Sequence, residues 1–229
     1  MFSNASRNKL SLLIFNATAW VGIADNAASS PITNIYASLH TALPGRTGNQ
    51  SSSEASYTNY ARVAIPRSST GFTVAADGTT TLTSQRQFPA SSPTGNNQYC
   101  PFVAFGSASS GTGEIEQQGA IIKSGTTAIP VTMLAGTALQ GPAHGAAVND
   151  RVCLLKIGAA PLPGNFTEGT VYWVVSSADA NTVTLSATQG GGAITASSAG
   201  CALMLVLDGF QIGNNYTPQL TTSSAIYID

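Results

Sequence analysis

His40 and His144 are the two imidazoles of the chain, and they keep different company. Asp150 and Cys153 follow His144 closely, so an N, O and S donor set for a divalent metal could assemble there. The spacing matches none of the zinc patterns, in which ligands come in short paired steps. His144, before Gly145, is therefore read as a turn residue and His40 as the end of a strand. Glu114 and Glu116, two residues apart, fall on one face of a strand, an arrangement open to the paired carboxylates of a glycosidase. Beside Gly111 and Gly113 they are read as a solvated hairpin edge. Serine is abundant, but no Gly-x-Ser-x-Gly elbow occurs, and Gly119–Ser124 lacks the Gly-Lys step of a phosphate loop. Gly190-Gly191-Gly192 runs into Ala193-Ile194-Thr195 rather than a helix and reads as a hairpin bend. The cysteines Cys100, Cys153 and Cys201 are odd in number and widely spaced, which suits buried small hydrophobes better than disulfides. The expectation is a protein without catalytic residues, metal or cofactor, and not an enzyme.

The elements that would position these residues are mostly strands. Leu10, Leu13, Ile14 and Ala17 follow the spacing of one helix face, with Asn4 or Ser6 as an N-cap, so one short N-terminal helix is predicted over residues 6–15. Beyond it, short Val, Ile, Thr, Tyr and Phe runs alternate with Gly, Pro, Asn and Ser clusters, the punctuation of strands and turns. Strands are predicted at Ile32–His40, Tyr60–Pro66, Phe72–Ala75, Thr80–Thr83, Cys100–Phe105, Ile115–Ile122, Ile129–Met133, Arg151–Ile157, Thr170–Ser176, Thr182–Ser186, Ala202–Phe210 and Ala225–Asp229. The polar stretch Thr41–Asn59 reads as a long exposed loop. The fold class is mainly β: a sandwich or jelly-roll-like outer domain with one short helix, carrying an inserted small β domain. The outer domain is assigned to residues 1–124 and 202–229 and the insert to 125–201, because excising the insert joins two β-like runs, Ile115–Lys123 and Leu203–Ile212.

Composition narrows the function further. Of 229 residues only 8% are charged, and nine Lys and Arg against ten Asp and Glu leave a net charge of −1. Binding to DNA or RNA by counterion release needs clustered Lys and Arg, so nucleic acid is not the expected partner. A hydrophobic content of 43% with so little net charge also excludes a disordered chain. The apolar stretch from Leu10 to Ile23 is broken by Ser11, Asn16 and Thr18 and is shorter than the roughly 20 residues of a bilayer span, so no membrane partner is expected. It makes a poor signal peptide as well, which places synthesis in the cytoplasm.

Three strings carry a family resemblance: the helix with Asn8-Lys9-Leu10, the run Ile35-Tyr36-Ala37-Ser38-Leu39-His40-Thr41-Ala42-Leu43-Pro44-Gly45, and Tyr57-Thr58-Asn59-Tyr60-Ala61-Arg62-Val63-Ala64. Together they resemble virion structural proteins of tailed bacteriophages, with Phe88-Pro89-Ala90, Phe102–Gly106 and Ile226–Asp229 similar to that family's later strands. Asn149-Asp150-Arg151-Val152 and Gly169–Val175 resemble small β modules that recur in phage head and tail proteins. The resemblance implies a virion location.

A charge-poor surface of Ser, Thr, Asn and Gln can be covered by another protein without the desolvation penalty of burying Lys or Glu. The expectation is a capsid decoration or cement protein that binds the major capsid protein and itself, as a homotrimer on the capsid surface. Leu10, Trp20, Arg46, Tyr57, Tyr60 and Arg62 are the candidate interface residues. The alternatives are a tail-associated protein, fibre or tube component, and a host-carbohydrate-binding module using Tyr172, Trp173 and Tyr216. That last reading requires exposed rings, whereas Trp173, in an alternating strand, is expected in the insert's core.

Overall fold

A computed structural model describes residues 3–21, 23–24, 31–223 and 225–226. Among these residues the fold is mainly β, with one short N-terminal helix. In chain order the elements are α1 (Asn4–Asn16), β1 (Asn34–His40), β2 (Val63–Pro66), β3 (Phe72–Val74), β4 (Thr80–Leu82), β5 (Arg86–Gln87), β6 (Gln98–Cys100), β7 (Phe102–Gly106) and β8 (Ile115–Ala120). There follow β9 (Ile129–Met133), β10 (Ala138–Gln140), β11 (Arg151–Leu155), β12 (Val171–Asp179), β13 (Thr182–Ser186), β14 (Gly200–Leu207), β15 (Phe210–Ile212), β16 (Gln219–Leu220) and β17 (Ala225–Ile226). They divide between two compact units. Met1–Thr41, Thr47–Gly119 and Gln211–Asp229 form the first; Ala42–Arg46 and Ala120–Phe210 form the second.

In the first unit the main sheet runs β2-β1-β7-β8, with β1 antiparallel to both β2 and β7. Smaller sheets pair β15 with β6, β16 with β5, and β17 with β4 and β3. Helix α1 starts at Ser3, whose hydroxyl accepts the Ser6 N–H at 3.2 Å, and stops at Ala17 in the left-handed conformation (φ 53°). Arg67 closes its C-terminal end by donating to the Ile14 carbonyl at 2.6 Å and the Leu13 carbonyl at 2.5 Å. The face it buries is centred on Ser11 and Phe15, with Leu10, Leu13 and Ile14 half-buried beside it. Phe15 packs on Phe72 at 4.9 Å, and the Ser11 hydroxyl donates to the Gly78 carbonyl at 2.9 Å. The polar centre of that face is why apolar spacing placed it one residue off.

The stretch Thr41–Asn59 is only in part an exposed loop. Its Ser53–Ala55 portion extends the sheet beside β1, with Thr41 N–H donating to the Ser53 carbonyl and Ala55 N–H to the Leu39 carbonyl, both at 2.8 Å. Gln50, Ala55 and Tyr57 are buried. A polar composition concealed this because Gln50 and Tyr57 are buried with partners from outside the stretch: Gln50 donates to the Tyr36 carbonyl and accepts the Ala108 N–H, and Tyr57 donates to the Pro89 carbonyl.

The second unit is a closed barrel in the order β10-β13-β12-β11-β14-β9. Alternate residues fill it: Val131 and Met133, Leu139, Val152 and Leu154, Tyr172 and Val174, Val183 and Leu185, Ala202, Met204 and Val206 form one apolar core. β14 pairs with β11 on one side and β9 on the other, so closure depends on it. The boundary expected at residue 201 therefore falls inside a barrel strand, and the unit extends to Phe210. Ile122 bridges to Leu207, which brings together the two runs flanking the expected insert. On the outer side of the barrel wall, β9, β10 and β13 carry Pro130, Thr132, Gln140, Thr182 and Thr184, while β11, β12 and β14 carry half-buried Trp173 and Leu203 and buried Cys153, Leu205 and Leu207. Gly169 meets the 42–46 segment: Leu43 N–H donates to its carbonyl at 3.2 Å, and a Cβ on Gly169 would lie 2.5 Å from Leu43 Cβ.

Candidate functional site

The residues with metal or acid–base potential are placed in structural roles. His144 is buried; it accepts the Ala146 N–H on Nδ1 at 3.1 Å, which leaves Nε2 to donate to the Asp179 carbonyl at 3.1 Å. Asp150 Oδ2 accepts Lys123 Nζ and the Ala147 N–H, each at 2.8 Å. Cys153 lies on the outer side of β11, fully buried, its thiol pushed up to about 12 by burial, and burial does the same to Cys100. Cys201 is half-buried. Among the described residues, no three His, Cys, Asp or Glu side chains cluster as metal ligands would. Glu114 and Glu116 both stand exposed; desolvation along the sheet edge, with the charge of Glu114 added, raises the Glu116 pKa. No helix among the described residues is long and apolar enough to cross a membrane.

The densest polar constellation joins four segments of the first unit. The Arg62 guanidinium grips Glu54 through two bonds, Nε to Oε1 at 2.6 Å and Nη2 to Oε2 at 2.8 Å. The side chains are 2% and 17% exposed. Arg62 also donates to the carbonyls of Ala108 at 3.0 Å and Gly111 at 2.6 Å, which holds the β7–β8 connection in place. The Tyr60 hydroxyl donates to Glu54 Oε1 and accepts the Leu39 N–H, both at 3.0 Å. Hydrogen bonding to Glu54 raises the Arg62 pKa, and burial raises that of Tyr60, so both keep their protons. Nearby, fully buried His40 has Nδ1 2.9 Å from the Ser52 carbonyl and Nε2 2.9 Å from the Ser38 hydroxyl. A carbonyl only accepts, so Nδ1 carries the proton and Nε2 accepts from Ser38. That is the tautomer of a serine–histidine dyad, but both side chains are sealed inside the sheet.

Three candidate interface residues have their side chains engaged within the first unit: Tyr57 is buried, and Tyr60 and Arg62 are half-buried. Tyr57 is buried and donates to the Pro89 carbonyl at 2.9 Å, with Tyr60 edge-on to its ring at 5.2 Å. Tyr60 stacks on Phe88 at 6.3 Å, and Arg62 holds Glu54. Glu54, the lone acidic residue of its polar stretch and eight positions before Arg62, was the signal for an internal pair. Leu10 and Trp20 are half-buried, with Lys9 Nζ 6.0 Å from the Trp20 ring centre, and Arg46 is exposed. Trp173 is also corrected: its neighbours Tyr172 and Val174 point into the barrel, while Trp173 lies outside under the Arg151 guanidinium, 4.4 Å from the ring centre.

Residues 2–139 match the family model described as podophage GP4 fiber I protein gp80. The chain belongs to that family. It is therefore a bacteriophage structural protein, and the matched span runs from α1 through the whole β1–β8 region into the start of the barrel. No curated protein and no solved structure matches the chain.

Proposed function

We propose that the chain is a structural component of a tail-associated fibre, assembled through contacts with other virion proteins and with further copies of itself. The observation that carries this reading is the family match over residues 2–139. The site geometry supports it. The most elaborate polar cluster secures loops to a sheet, which is the work of a rigid scaffold. Large apolar side chains stand outside, among them Val21 (90% exposed), Ile23 (73%) and Leu134 (81%), and each would gain by being covered in an assembly. Few ionised groups would have to be desolvated when such surfaces close.

Immunogold labelling of intact virions with an antibody against this chain tests the reading. Gold on fibres is the expected outcome. Gold spread over the head would overturn it in favour of capsid decoration, and gold confined to the tail tube would favour a wall component.

A further inference from the structure

We propose that the loops 56–59, 91–98 and 211–217 of the first unit form a binding surface for a neutral saccharide, with the Tyr216 ring as its stacking platform. None of the three stretches contains a charged residue, and they bring Ser56, Thr58, Asn59, Asn97, Asn214 and Asn215 to the surface. Tyr216 is 38% exposed, and among the described residues no other aromatic ring stands exposed. The other two aromatic candidates do not qualify. Tyr172 is buried and its hydroxyl accepts the Thr167 N–H at 2.7 Å, and Trp173 already carries Arg151 over its face.

The loops are held by their own hydrogen bonds. Ser91 N–H donates to the Tyr216 carbonyl, and Tyr216 N–H donates to Ser91 Oγ, both at 2.9 Å. The Ser91 hydroxyl in turn donates to the Gly213 carbonyl at 2.6 Å. This ring of bonds fixes the backbone beneath the tyrosine. Asn96 ties the segments together: its N–H donates to Asn214 Oδ1 at 3.1 Å, its Oδ1 accepts the Thr58 N–H at 3.1 Å, and its Nδ2 donates to the Ser92 carbonyl at 2.9 Å. Gln211 Nε2 donates to Asn97 Oδ1 at 3.0 Å. A surface ordered beforehand loses little conformational entropy when a ligand arrives.

The chemistry selects the ligand class. A sugar ring presents an apolar face of C–H groups and a rim of hydroxyls that both donate and accept. An exposed phenol ring suits the face, and side-chain amides and hydroxyls, which also donate and accept, suit the rim. With no Lys, Arg or His in the loops there is nothing to neutralise an acidic sugar, which sets neutral glycans apart. A protein partner would call for a group of apolar anchors, and here one ring stands alone. The inference is independent of where on the virion the chain is mounted.

The full chain is screened on an array of neutral hexose and N-acetylhexosamine oligosaccharides, with sialylated and uronic-acid oligosaccharides as charged controls. Any neutral hit is then titrated against the parent chain, Tyr216→Ala and Asn97→Asp. Expected are retention of neutral probes only, a Kd raised roughly tenfold or more by Tyr216→Ala, and weaker binding for Asn97→Asp, both with unchanged melting temperature. Retention of no neutral probe would overturn the proposal. So would hits bound equally well by Tyr216→Ala, or an image reconstruction of the virion with another protein subunit seated over Tyr216.

Discussion

At the scale of single residues, the Arg62–Glu54 pair makes the strongest prediction. Breaking a buried ion pair leaves its partner charged and unsolvated, and here the Ala108 and Gly111 carbonyls lose their donor too. Arg62→Met should destabilise the fold by about 3 kcal/mol, read from urea unfolding; a loss within the error of that measurement would refute the clamp. His40 gives a pH dependence. Burial, the largest influence, lowers its pKa with Arg62 assisting, while the Ser52 bond and Glu54 pull the other way. The unfolded histidine titrates at about 6.5, so below that pH the unfolded chain takes up a proton that the folded chain refuses. Stability present above about pH 6.5 is lost as pH falls toward the folded pKa, where the loss levels off. Unfolding free energies at neutral and mildly acid pH should differ more for the parent than for His40→Asn, and equal differences would exclude His40 as the source.

At the scale of elements, α1 depends on a residue far from it in sequence. Its termination at Ala17 leaves carbonyls at the C-terminal end, and Arg67 supplies both donors and charge there. Arg67→Met should cost about 1–2 kcal/mol. Hydrogen exchange should locate the loss in the last turn of α1 and leave the barrel strands as protected as before. The helix itself was legible from apolar spacing, and strands β9 and β13 begin and end where their alternation does. Less legible was the 41–59 stretch, since pattern reading looks for apolar residues and this segment is buried through Gln50, Tyr57 and backbone pairing.

For the whole molecule, the barrel carries a core of its own, formed by residues between Ile129 and Val206. Leu154→Ala should open a cavity there and cost about 2–5 kcal/mol. Amide exchange should rise in β11, β12 and β14 while β1 and β7 keep their protection; equal loosening of both would show that the units unfold as one. The family match likewise bears on the molecule as a whole: residues 2–139 include the first unit's main sheet and its helix.

Local properties were settled by the amino-acid sequence alone: the mainly β class, the short N-terminal helix, a chain with few charges and the resemblance to phage virion proteins. These follow from residue type and short-range spacing, which act over a few neighbouring positions. Tertiary structure decided which face of each strand is inside. Tyr172 and Trp173 are adjacent and equally aromatic, yet β12 alternates, so one fills the barrel and the other lies against Arg151 outside it. It also turned Tyr57, Tyr60 and Arg62 inward, because their partners Pro89, Phe88 and Glu54 come from segments that only the folded chain brings together.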